Sequence, residues 1–91
     1  MILISHNIVV GKQNRDAFLE LVRGFGETVQ ILDNTIVLHE RDGVNVNRIQ
    51  EALRTVILRG DNFILVDITG RDRNGWLPVD YWGWMRQHDI R

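Results

Sequence analysis

The stretch Thr28-Val29-Gln30-Ile31-Leu32-Asp33-Asn34-Thr35-Ile36-Val37-Leu38-His39 decides the fold. Two short runs rich in β-branched residues, Thr28–Leu32 and Thr35–His39, flank Asp33-Asn34, a pair that tolerates the positive backbone angles of a tight turn. This is the pattern of a β-hairpin. On either side of it the apolar period changes to that of a helix. Upstream, Phe18, Leu21, Val22 and Phe25 recur at helical spacing behind Asn14 as N-cap, with Gly26 placed to supply a left-handed C-cap. Downstream, the polar loop Arg41-Asp42-Gly43 leads to Asn45 as a second N-cap, with Val44 set to pack on Ile49 as a hydrophobic staple. The second helix carries Ile49, Leu53, Val56 and Ile57 and ends at Gly60. Outermost are two strands, Met1–Val10 and Asn62–Thr69.

The order βαββαβ gives two halves, each with one amphipathic helix. Both apolar stripes are buried most simply by laying the helices on one face of a four-stranded antiparallel sheet, the ferredoxin-like α+β arrangement. Right-handed crossovers then predict the strand order 4-1-3-2. On the uncovered face we expect Leu3, Ser5 and Asn7 of the first strand and Phe63, Leu65 and Asp67 of the last. Ile2, Ile4, Ile64, Val66 and Ile68 are expected to face the helices. A half-apolar open face invites a partner.

Beyond Gly70 a polar turn, Arg71-Asp72-Arg73-Asn74-Gly75, leads to Trp76-Leu77-Pro78 and a short helix over Val79–His88. Four of the seven aromatic residues, Trp76, Tyr81, Trp82 and Trp84, fall in this tail of a single domain spanning 1–91. The tail, residues 75–91, is expected either to cover the open face or to meet a second subunit. The expected interface residues are Trp76, Leu77, Tyr81, Trp82 and Trp84, with Phe63 and Leu65.

With 91 residues the chain buries only roughly 60–65% of the surface it exposes when unfolded. There are no cysteines, so disulfides, thiolate metal sites and thiol nucleophiles are excluded. Association into a homodimer is the remaining support for so small a core. Eleven basic residues against twelve acidic ones leave a net charge of -1, which does not favour nucleic acid or an anionic membrane. No apolar run approaches the roughly 18 residues that would span a bilayer, and the start lacks a basic signal-peptide region, which predicts a cytoplasmic product without a membrane partner.

Several local patterns carry no chemistry. Gly11-Lys12 lacks the earlier glycine and the following hydroxyl of a phosphate loop. Arg59-Gly60-Asp61 reads as a helix end, where arginine complements the dipole. Arg15, Arg23, Arg48, Arg54 and Arg59 alternate with acids along the helices, as on a solvated face. His6, His39 and His88 would meet only if the fold gathered them, since no HxH or HxxxH spacing links them. Asp67 interrupts an apolar run, so it is paired with an arginine, at an edge, or in a site.

Met1-Ile2-Leu3-Ile4-Ser5-His6-Asn7-Ile8, Leu32-Asp33-Asn34-Thr35-Ile36-Val37, Asp61–Gly70 and the closing Gly75-Trp76-Leu77 with Trp82 and Trp84 resemble SinR-like small bacterial proteins. Those are relatives of the CRISPR adaptation nuclease-like, or Cas-two, family. The resemblance implies a ferredoxin-like homodimer whose first strand, in nuclease members, ends in an aromatic residue followed by an aspartate. The two dimer-related aspartates would hold a divalent cation. Here His6-Asn7 stands at that place, and a neutral carboxamide holds a hard cation far more weakly than a carboxylate does. The first expectation is therefore a non-catalytic, dimeric binding or assembly module without a cofactor. The alternative is a weak endonuclease on RNA or DNA that uses Mg²⁺ or Mn²⁺ and draws on His6, Asn7 and Asp67.

Overall fold

The computed structural model describes residues 1–9 and 11–88. Val10, expected in the first strand, and the last three residues of the tail lie outside them. The elements run β1 (Ile2–Asn7), α1 (Gly11–Arg23), β2 (Gly26–Leu32), β3 (Thr35–Glu40), α2 (Val46–Leu53), β4 (Asn62–Asp67) and α3 (Val79–His88). The four strands form one antiparallel sheet of order β2-β3-β1-β4, the expected 4-1-3-2 read from the other edge.

Register assigns the faces. Ile2, Ile4 and His6 of β1 stand opposite Asp67, Leu65 and Phe63 of β4, so these six side chains share one face. On that face Ile2, Ile4, Ile36 and Leu38 meet Phe18 and Val22 of α1 and Ile49 and Leu53 of α2, with Phe63 and Leu65 packed against the cluster. The expectation for β4 is thereby reversed: Phe63 and Leu65 face the helices, while Ile64 and Val66 are exposed on the other face at 59% and 42%. The run Phe63-Ile64-Leu65-Val66 is apolar throughout, so alternation within it names no inner side. Pairing with β1 decides, and the Phe63 ring stacks at a tilt on Phe18, 5.7 Å between centroids.

The second face is only half open. Met85 of α3 is buried with Met1 and Val37, and Val29, Ile31, Ile68, Leu77, Trp82 and Trp84 pack around them. The tail thus lies on the β2–β3 half of the sheet. This double cover explains why Thr35, Ile36, Val37 and Leu38 are buried one after another, a pattern that a sheet covered on one face does not produce.

Local signals shifted in four places. α1 begins at Gly11, so Asn14 lies within its first turns and does not cap it. Gly26 opens β2, where a Cβ would fall 2.1 Å from the carbonyl oxygen of His39, so its role is close backbone approach and not helix capping. Asp33-Asn34 turns the chain without a positive φ, which among the described residues only glycines adopt, and a register shift between Gln30 and Leu32 absorbs the mismatch. Asn45 does cap α2, its side chain accepting from the Arg48 backbone N–H at 2.9 Å. α2 ends at Leu53, so Arg59-Gly60-Asp61 lies in the turn before β4 and not at the helix end. There Asp61, buried, accepts from the backbone N–H groups of Val9 (2.9 Å) and Leu58 (3.0 Å) and ties the end of β1 to the loop.

Phe18, fully buried between His6 and Phe63, is the largest side chain of the main core. Phe18→Ala is expected to cost roughly 3–5 kcal/mol in urea-unfolding measurements. Trp76→Ala, at a fully exposed side chain, is expected to change stability by less than about 0.5 kcal/mol.

Candidate functional site

The residues singled out for a nuclease do not converge within one chain. His6 faces the helices, with its ring 5.1 Å from that of Phe18, and Nε2 is the one buried side-chain polar atom among the described residues without a hydrogen-bond partner. Asn7 is exposed on the opposite face, across from Asn62. Asp67 sits opposite Ile2, at the far end of β1, five residues or roughly 16 Å along the strand from Asn7. Hydrogen bonds from Thr69, its hydroxyl first and then its backbone N–H (3.0 Å), hold the Asp67 carboxyl below the usual carboxylate range. Of the three expectations for Asp67 the structure gives the edge: it is an exposed residue at the end of edge strand β4, and Arg71 contributes only a weak electrostatic influence.

A shallow pocket of about 290 Å³ does open beside Asn7. Ser5, His6, Asn7, Asn34, Asn62, Phe63 and Ile64 line it. Among the described residues its lining contains no carboxylate, so a hard divalent cation would find only neutral oxygens from them.

The expected interface residues divide into three groups. Leu77, Trp82 and Trp84 pack on Val37 and its neighbours within the chain. Phe63 and Leu65 belong to the helix-covered core. Trp76 is fully exposed, with Val79 beside it at 78%, while Tyr81 is half-buried.

A second constellation lies at the corner where β2, β3 and α3 meet, and the fold alone assembles it. β1 and β3 are neighbours, yet their register sets His6 and His39 at opposite ends of the pair, and His39 meets His88 instead. Glu27 stands directly opposite His39 in the β2–β3 ladder. His88, in the last turn of α3, places Nε2 2.8 Å from the Glu27 carboxylate and Nδ1 2.8 Å from the Trp84 carbonyl oxygen. Its ring stacks on Trp84 at 4.4 Å and meets His39 edge-on at 4.9 Å. Sequence offered no spacing signal for this group, because its members are 12 and 49 residues apart. Next to it the Met1 amino group binds Glu40 (2.9 Å) and the Thr69 hydroxyl (2.8 Å).

Compared with protein-family models, curated proteins and solved structures, the chain matches none of them.

Burial, and secondarily the charge of Arg15, pushes the His6 imidazole below its ordinary pKa of 6.5. As pH falls through 6.5 the unfolded chain takes up this proton first, so stability declines from there down to the lowered folded-state value and then levels off. His6→Leu also removes an unpartnered polar atom. It is expected to be at least as stable as the unsubstituted protein at pH 7.5, with an advantage that grows toward pH 5 in denaturant titrations.

Proposed function

We propose that the chain is a non-catalytic assembly module on a ferredoxin-like scaffold, which self-associates through the part of the sheet that α3 leaves bare. One observation supports it above others: Ile64 and Val66 of the edge strand β4 are 59% and 42% exposed on a face whose other half is closed by the chain's own tail. Leu3, half-buried beside Val66, continues this strip across β1, and Asn7 and Asn62 end it without a charge. A standard interface covers about 800 Å² per partner. That is roughly an eighth of the 6245 Å² accessible surface.

The first-strand pair His6-Asn7, the carboxylate-free pocket beside it and the net charge of -1 all weigh against phosphodiester chemistry at this face. The resemblance to SinR-like and Cas-two proteins agrees with a dimeric scaffold that has lost its cation-holding aspartate.

Sedimentation equilibrium tests the reading. The unsubstituted protein is expected to be a dimer at micromolar concentration, and Ile64→Lys combined with Val66→Lys is expected to raise the dissociation constant by on the order of a hundredfold, as desolvating two charges demands. A monomer at every accessible concentration would sink the idea. So would cleavage of RNA or DNA with Mg²⁺ or Mn²⁺ that Asn7→Ala abolishes, which would establish the nuclease in its place.

A further inference from the structure

The corner formed by Glu27, His39 and His88 presents a protonation problem. The Trp84 carbonyl oxygen, 2.8 Å from His88 Nδ1, and the Glu27 carboxylate, 2.8 Å from Nε2, both only accept, so a neutral ring donates to one of them and turns a lone pair on the other. With the hydrogen on Nδ1, the lone pair of Nε2 points at the Glu27 carboxylate, 2.8 Å away. Two electron-rich atoms at that distance repel each other unless a cation lies between them. The cation is either a proton, making an imidazolium–carboxylate pair, or a metal ion.

The third member of the group favours the metal. An ion pair needs no further donor, yet the ligand atoms of Glu27, His39 and His88 all lie within 4.8 Å of one another, and a second imidazole set beside an imidazolium brings it no hydrogen-bond acceptor that the carboxylate does not already supply. A metal ion uses all three. The contact with Trp84 is also the arrangement that orients metal-bound histidines, in which the distal ring N–H donates to a backbone carbonyl and fixes the tautomer.

We propose that Glu27, His39 and His88 bind a borderline divalent cation of the Zn²⁺ class, one per chain. Two imidazoles and one carboxylate suit that class, whereas Mg²⁺ and Ca²⁺ take mostly oxygen ligands in larger number. Tetrahedral bonds of about 2.0–2.2 Å set donor atoms roughly 3.3–3.5 Å apart. The present separations, from 2.8 Å to no more than 4.8 Å, bracket that spacing. The fourth position opens toward a groove of about 770 Å³ lined by Gly26, Glu27, His39, Glu40, Arg41 and Asp42, from which water completes the shell. Glu27 is 70% exposed, so an ion reaches the site directly from solvent. Of the two nearby positive charges, the Arg41 guanidinium donates to the carbonyl of Gly24 and the Met1 amino group is paired with Glu40.

Two ligands belong to the β2–β3 hairpin and the third to α3, so the ion clips the tail onto the sheet. Binding is therefore linked to the docking of α3, and it stabilises the fold by mass action. Glu27 and His39 lie on the β2–β3 half of the sheet and the Ile64–Val66 strip on β4.

Calorimetric titration of chelator-treated protein with ZnCl₂ at pH 7.5 tests the proposal, with thermal unfolding as a second readout. One saturable site per chain at micromolar affinity or tighter is expected. A rise in Tm of roughly 10 °C is expected at a hundredfold excess over the dissociation constant. Mg²⁺ and Ca²⁺ are expected to leave Tm unchanged. His39→Ala and His88→Ala are expected to weaken binding by on the order of tenfold or more and to abolish the Tm shift. Glu27→Gln, at a 70% exposed position, is expected to weaken binding in the same direction while leaving the Tm of the metal-free protein nearly unchanged, which separates ligand loss from misfolding. Absence of one-to-one binding at about 100 μM Zn²⁺, or affinity unchanged in both His88→Ala and Glu27→Gln, overturns the site.

Discussion

Strand β1 is hydrogen-bonded along both edges, to β3 on one side and β4 on the other, and the rest of the molecule is arranged around that fact. A strand with two partners cannot slip by one residue without turning every side chain of three strands to the wrong face. Ile2 and Ile4, almost wholly buried, hold the register because they point into the core that α1 and α2 enclose. Everything on the helix side follows from it. His6 is carried into the core beside Phe18, and Phe63 and Leu65 are drawn in from β4 to meet it.

The other face answers to a shortage of apolar cover. In a chain of 91 residues without cysteines, two helices cannot bury both sides of four strands. α3 closes the β2–β3 half through Met85, Trp82 and Trp84, and Val37 becomes inaccessible beneath it. The β1–β4 half keeps Ile64 and Val66 at the surface. The same docking carries the end of α3 to the start of the β2–β3 ladder, where His88 meets Glu27 and His39. An apolar requirement thus positions a polar constellation, because a helix anchored through Met85 has little freedom in where its next turn ends.

The elements themselves were legible from local signals. The hairpin, the Asn45 cap with Ile49 and Leu53 behind it, and the helix Val79–His88 follow from turn chemistry and spacing, and the strand order follows from the handedness of the crossovers. Local reading failed where two signals competed. Asn14 is a good cap residue, but the chain starts its helix at Gly11; Gly26 suits a helix end, but the approach of the His39 carbonyl needs it in β2. The candidate site was less legible still. His6 and Asn7 are adjacent along β1 and Asp67 lies on the neighbouring strand, yet alternation and register send the three to different faces and ends.

By itself, the sequence determined which segments form strands and helices, because backbone preference and apolar period are properties of neighbouring residues. It also excluded thiol chemistry, by composition alone. Tertiary structure decided the rest: the inner side of Phe63–Val66, the half of the sheet that the tail covers, and the meeting of Glu27, His39 and His88. Those outcomes depend on pairings between distant residues, such as Glu27 with His88, 61 positions apart. Such pairings are set by which buried surfaces fit together, and no short window of the chain contains both sides of the fit.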